Sequence, residues 1–115
     1  MKRKTIRKHS DFICPSDAII VRGELSLIKV KHVTVHEGRY GLIVSKKEFK
    51  LATQRNRAKR LLRDWIAYNE DLMLPDYDYI FLVNKEVLES DRETGRTDIK
   101  RSLKKISKML EKNED

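Results

Sequence analysis

The chain has 115 residues, a formal net charge of +8, 38% charged residues and one cysteine. Its length fits one small domain and excludes a multi-domain enzyme. It has nothing near the roughly 20 apolar residues that span a bilayer. The basic start MKRKTIRKHSDF lacks the apolar run of a secretion signal, so a cytoplasmic protein is expected.

Residues 1–8 are basic and aperiodic and read as a flexible arm, with residues 9–112 forming a single domain. His9-Ser10-Asp11-Phe12 opens a helical turn that Pro15 interrupts. Cys14 has no partner for a disulfide, and the three histidines form no ligand spacing with it, which argues against structural zinc. Ala18 to Val21 suits either a capped helical turn running on toward Gly23 or a short β-branched strand. Leu25 to Val35 alternates in part and Tyr40 to Ser45 is a short apolar run. With the turn signal Glu37-Gly38-Arg39 between them, the two are expected to pair as an antiparallel hairpin.

A helix is expected from about Lys50 to Asn69, closed by Pro75. Tyr77 to Asn84 carries Tyr79, Phe81 and Val83 on one face and Ile80 and Leu82 on the other, so both faces require burial and the segment reads as a central strand. Glu86 to Thr97 is polar and reads as a loop with at most one helical turn at its start. Thr97 then caps a last helix lined by Ile99, Leu103, Ile106 and Met109 or Leu110. The fold class is α+β: a two-layer sandwich in which a small mixed sheet is covered on one face by two amphipathic helices.

The densest chemical signal lies in the first of those helices. At 100° per residue, Leu51, Ala58, Leu61, Leu62, Trp65 and Ile66 share an apolar arc, while Asn56, Lys59, Arg60 and Arg63 form an adjacent stripe. Three cations and an amide along a rigid rod suit several phosphates at once. Asp64 is the only acid in this cluster, so neutralisation between helical neighbours is almost absent. Arg57 falls elsewhere, beside Asp64, and Arg55 projects near the apolar margin. Trp65, Tyr68 and Tyr79 read as core. The charge of the whole chain agrees with a polyanionic partner: residues 1–60 hold 16 Lys/Arg against 5 Asp/Glu, and residues 61–115 hold 10 against 13.

Ser45-Lys46-Lys47, followed by Arg55-Asn56-Arg57-Ala58-Lys59-Arg60-Leu61-Leu62-Arg63, resembles the signature of the bacterial ribonuclease P protein component family. Gly41-Leu42-Ile43-Val44, Tyr77-Asp78-Tyr79 and the basic C-terminal helix extend the match over about residues 39 to 110. The resemblance implies a noncatalytic subunit that binds a catalytic RNA subunit and promotes removal of the 5′ leader from precursor tRNA. It implies RNA contacts for Arg55, Asn56, Arg57, Lys59, Arg60 and Arg63, with phosphate contacts for Lys46 and Lys47. It also implies that the protein binds no cofactor by itself and that the catalytic magnesium ions are held by the RNA. Arg7, Lys8 and Phe12 match the family's basic lead-in to the first aromatic of a cleft for the single-stranded leader. The second aromatic is missing, because Ser16 stands in its place.

Two other functions compete with this reading. A nuclease in its own right needs clustered carboxylates or histidines, whereas Asp76 with Asp78, and Asp91 with Glu93, read as turn and surface carboxylates. The isolated protein is therefore expected to cleave nothing. A structural RNA-binding protein of ribosomal type is the alternative. DNA is disfavoured because the segment before the basic helix is strand-like, so no helix-turn-helix forms. A membrane surface is disfavoured because the apolar arc is needed to cover the sheet.

Overall fold

A computed structural model describes residues 2–112. The strands are β1 (Ile19–Arg22), β2 (Ser26–His32), β3 (Tyr40–Ile43) and β4 (Tyr77–Val83), and the long helices are α1 (Ala52–Tyr68) and α2 (Arg92–Lys112). Short 3-10 turns occupy His9–Phe12, Glu70–Leu72 and Lys85–Glu89. The sheet order is β1-β2-β4-β3, with β1–β2 and β2–β4 antiparallel and β3–β4 parallel. The fold is α+β with a mixed sheet.

One sheet face carries Val21, Ile28, Val30, Tyr79, Phe81 and Val83 into the core. There they meet Ala58, Leu62, Trp65 and Ile66 of α1 and Ile99, Leu103, Ile106 and Leu110 of α2. The apolar spacing of both helices thus fixes their roll about their axes and forces the polar stripes outward. Trp65 and Tyr79 are core residues as expected, and Leu110 rather than Met109 fills the last core position of α2.

Three features differ from the sequence reading. The expected hairpin of β2 with β3 does not form, because β4 inserts between them. β4 pairs its backbone with β2 along one edge and with β3 along the other, and α1 supplies the long crossover that parallel β3–β4 pairing requires. Of the two readings open for Ala18 to Val21, the strand forms, as β1. The last helix begins at Arg92, where Asp91 serves as its cap: Asp91 Oδ1 accepts the Thr94 amide at 2.7 Å. Gly95, within the segment expected to be a loop, lies inside α2, where any Cβ would overlap the Trp65 indole.

The third difference concerns the N-terminal segment, expected to be a flexible arm. Thr5 pairs in parallel with Tyr40. The Ile6 amide donates to Tyr40 O at 2.7 Å, and the Tyr40 amide donates to Lys4 O at 3.0 Å. Ile6 is buried. The Lys2 and Arg3 amides donate to the Glu70 carboxylate at 3.0 and 2.8 Å. The Arg3 guanidinium donates to the carbonyls of Leu74 and Tyr77 and sits 5.0 Å from the centre of the Tyr79 ring. One apolar residue and one half-buried guanidinium thus fasten a segment whose composition suggests a loose tail.

Candidate RNA-binding surfaces

The α1 stripe forms where the apolar arc leaves room for it. Asn56, Arg60 and Arg63 are exposed and Lys59 is half-buried. Among the described residues, none of these four side chains makes an ion pair with a protein group. Asp64, the one nearby acid, is directed to Arg96 at 3.7 Å. The stripe therefore keeps its full positive charge for an external anion.

The remaining basic residues of the segment divide by environment. Arg55 is half-buried, and its Nη1 donates to Phe49 O at 2.7 Å and Lys50 O at 3.4 Å, fixing the chain that leads into α1. Arg57 is exposed and shares a shallow cleft with Arg60, Asp64 and Arg92. Lys46 and Lys47 lie in a turn beyond the end of β3 rather than on the strand, and both are exposed. Ser45 Oγ accepts the Glu48 amide at 3.2 Å, which shapes that turn. Strand alternation therefore does not govern their direction. Lys47, Lys50, Gln54 and Lys85 line one groove beside the start of α1.

The second surface is the sheet face away from the helices. Strand register places Arg22, Leu27, Leu82 and Ile43 in one row across it, and Ile20, Lys29, Ile80 and Gly41 in the next. The His9–Phe12 turn lies over part of this face. Gly41 makes room for Phe12: a Cβ at 41 would fall 2.5 Å from the aromatic Cε1. Asp11 holds the turn down through Arg39 at 3.2 Å, and Arg39 in turn binds fully buried Asp78 at 2.9 Å. The hydrogen bond to Asp78 is the main influence raising the Arg39 pKa above its ordinary value, with Asp11 adding to it against desolvation. Lys31 Nζ adds donations to Asp11 O and Ile13 O. Asp78, read from sequence as a surface carboxylate, is instead the buried anchor of this arrangement.

Part of the face stays open. Ile20 is 55% exposed and Ile43 36% exposed, with Leu27, Lys29 and Leu82 half-buried between them. Arg7 and Lys8 are exposed beyond the turn and line a broad groove with Arg3, Lys4, His36 and Arg39. Phe12 is half-buried between the two regions. Ile20, Lys29 and Ile43 escaped the sequence reading, since their common face depends on pairing between distant strands.

Tyr68 lies on the surface rather than in the expected core. It is 62% exposed, and the Arg96 guanidinium lies 4.1 Å from its ring centre. On a helical wheel it falls about 20° beyond Leu61, at the margin of the apolar arc. That margin was the available signal. Among the described residues, no group of three or more His, Cys, Asp or Glu side chains is placed to hold a metal ion, and no helix is long and apolar enough to cross a membrane.

Comparison with known proteins agrees with the architecture. The solved structure of the RNase P protein from Thermotoga maritima has the same fold, with a TM-score of 0.75 at 22% identity over 90% of this chain and 97% of that one. The ribonuclease P protein component of Ureaplasma urealyticum serovar 10 is 37% identical over 76 residues, covering 65% of this chain and 63% of the relative. That of Pseudomonas entomophila is 36% identical over 84 residues, covering 73% and 62%. The matched region thus spans a little under two thirds of the length of these two relatives. The Ribonuclease P family model matches residues 1–107, so the chain belongs to the ribonuclease P protein family.

Proposed function

We propose that this chain is the noncatalytic protein subunit of a ribonuclease P holoenzyme, binding the catalytic RNA subunit through α1 and the 5′ leader of precursor tRNA on the open sheet face. The observation that carries the reading is the uncompensated stripe of Asn56, Lys59, Arg60 and Arg63 on a helix whose roll is fixed by its core contacts. Arg57, Lys46 and Lys47 extend the positive field around it. Arg55, already bonded to two carbonyls, acts mainly by positioning the start of the helix, and a phosphate would meet only its remaining donors.

The leader assignment rests on chemistry suited to a flexible strand. Apolar Ile20, Leu27, Leu82 and Ile43 offer a flat surface to unpaired bases, while Arg22 and Lys29 meet the backbone. Phe12, Arg7 and Lys8 border that path. Nucleotide stacking here relies on aliphatic surface and at most one aromatic edge, which favours loose, sequence-tolerant contact. Hydrolysis belongs to the RNA subunit with its magnesium ions, and the protein contributes by neutralising phosphates and orienting the substrate.

The test is a salt titration of RNA-subunit binding. Arg60→Ala and Arg63→Ala should each weaken binding and lower the slope of log K against log salt by about 0.7–0.9 for each lost phosphate contact. Folding should be little changed, since both side chains are exposed. Parent-like slopes for both variants would refute the α1 assignment. RNA-free protein should leave precursor tRNA intact, and mixing it with the RNA subunit should lower the magnesium needed for cleavage.

A further inference from the structure

Residues 61–115 are net acidic in sequence, yet the structure gathers cations from them into a second basic face. Arg92, Arg96 and Lys100 recur at one-turn spacing along α2, and Arg57 and Arg60 approach the same region from α1. Trp65 against Gly95 brings the two helices close enough to join these residues. Asn69 secures the junction, its Nδ2 donating to Trp65 O at 2.9 Å and to Arg96 O at 3.0 Å. Within this face stands exposed Tyr68, with the Arg96 guanidinium 4.1 Å from its ring centre. Two carboxylates oppose the five cations: Asp64, paired with Arg96 at 3.7 Å, and exposed Glu93.

We infer that this α1–α2 face is a second contact site for the RNA subunit, in which Arg57, Arg92 and Lys100 bind phosphates and Tyr68 stacks an unpaired base. The inference rests on the function proposed above and extends its binding surface beyond the α1 stripe. Arg60 borders both surfaces and makes them continuous. An exposed aromatic ring amid cations is the combination that single-stranded or looped RNA recognises: the ring offers a stacking plane and the cations follow the adjoining backbone. Arg96 fixes the ring through the cation–π contact while Asp64 fixes Arg96, so the platform is arranged before RNA arrives. A buried role does not account for Tyr68, because most of the ring is in water.

The experiment measures binding of the full chain to the ribonuclease P RNA subunit of its own cell. Tyr68→Ala should weaken binding about tenfold with the thermal midpoint unchanged, and Tyr68→Phe should restore it, because stacking needs the ring and not the hydroxyl. Arg92→Ala should lower the salt slope by about 0.7–0.9. Parent-like binding by both Tyr68→Ala and Arg92→Ala overturns the inference. If Arg63→Ala alone weakens binding, the α1 assignment survives without this face. Losses at Tyr68 and Arg92 support the face whether or not Arg63 contributes, and failure of the parent protein to bind the RNA subunit overturns both readings.

Discussion

Phe12 ties its turn to the sheet and borders the proposed leader path. Its ring lies over Gly41 while the Asp11–Arg39–Asp78 chain holds its turn against the sheet. Because it is half-buried, Phe12→Ala should cost about 1–2 kcal/mol of stability, less than the roughly 3–5 kcal/mol of a fully buried phenylalanine. If its outer edge also meets the leader, precursor tRNA should lose more affinity than mature tRNA. Parallel binding curves and a denaturation midpoint check this. Equal losses for the two RNAs would leave Phe12 an anchor only. Gly95 gives a test in which intrinsic propensity and packing have opposite signs. Alanine is favoured over glycine inside a helix by about 1 kcal/mol, but a Cβ at 95 would overlap the Trp65 indole. Gly95→Ala should therefore destabilise the protein by about 1–3 kcal/mol, as overpacked cores do. A raised denaturation midpoint would show that α1 and α2 separate freely.

At the scale of elements, legibility follows the range of the deciding contact. The helix around Lys59 and the two-faced strand around Phe81 announce themselves because their apolar spacing lies within the segment. The position of β3 does not. The turn signal at Gly38 suits a hairpin, but β3 pairs with the far edge of β4, a contact between segments separated by the whole of α1. The start of α2 is hidden for a related reason, since Glu86 to Thr97 reads as a polar loop until Gly95 is known to face Trp65. The Asp91 cap carries a pH consequence. The Thr94 amide, and secondarily the Thr94 hydroxyl, hold the Asp91 carboxyl below its ordinary value of 3.8. A depressed carboxyl pKa adds stability above the unfolded-state value, and that stability is lost as the pH falls through the folded-state value. The first turn of α2 should thus loosen below about pH 4. Asp91→Asn should retain a cap but lose much of this acid dependence. Amide exchange in residues 92–96 across an acid titration checks it, and identical pH profiles for parent and variant would remove Asp91 as the cause.

At the scale of the whole molecule, part of the candidate site was legible: the stripe at Asn56, Lys59, Arg60 and Arg63 is a property of one helix. The open sheet face and the Tyr68 platform were not, because Ile20 meets Lys29 only through strand pairing and Tyr68 meets Arg96 only through helix packing. The placement of charge leads to a prediction of its own. The net charge is +8, while the ion pairs found among the described residues are Arg39 with Asp11 and Asp78, and Arg96 with Asp64. Most cations are thus exposed to one another's repulsion, which compact folding concentrates. Raising salt from about 20 to about 200 mM shortens the screening length from roughly 20 Å to about 7 Å. The free protein should therefore melt at a higher temperature in the higher salt. Binding to the RNA subunit should weaken over the same range, because counterion release falls. The stabilisation conferred by RNA should shrink in step, since it follows the ratio of free RNA to its dissociation constant. Thermal midpoints with and without RNA at both salt concentrations measure all three effects together. A free-protein midpoint that falls with salt would mean that the Arg39 and Arg96 ion pairs outweigh the repulsion among the exposed cations.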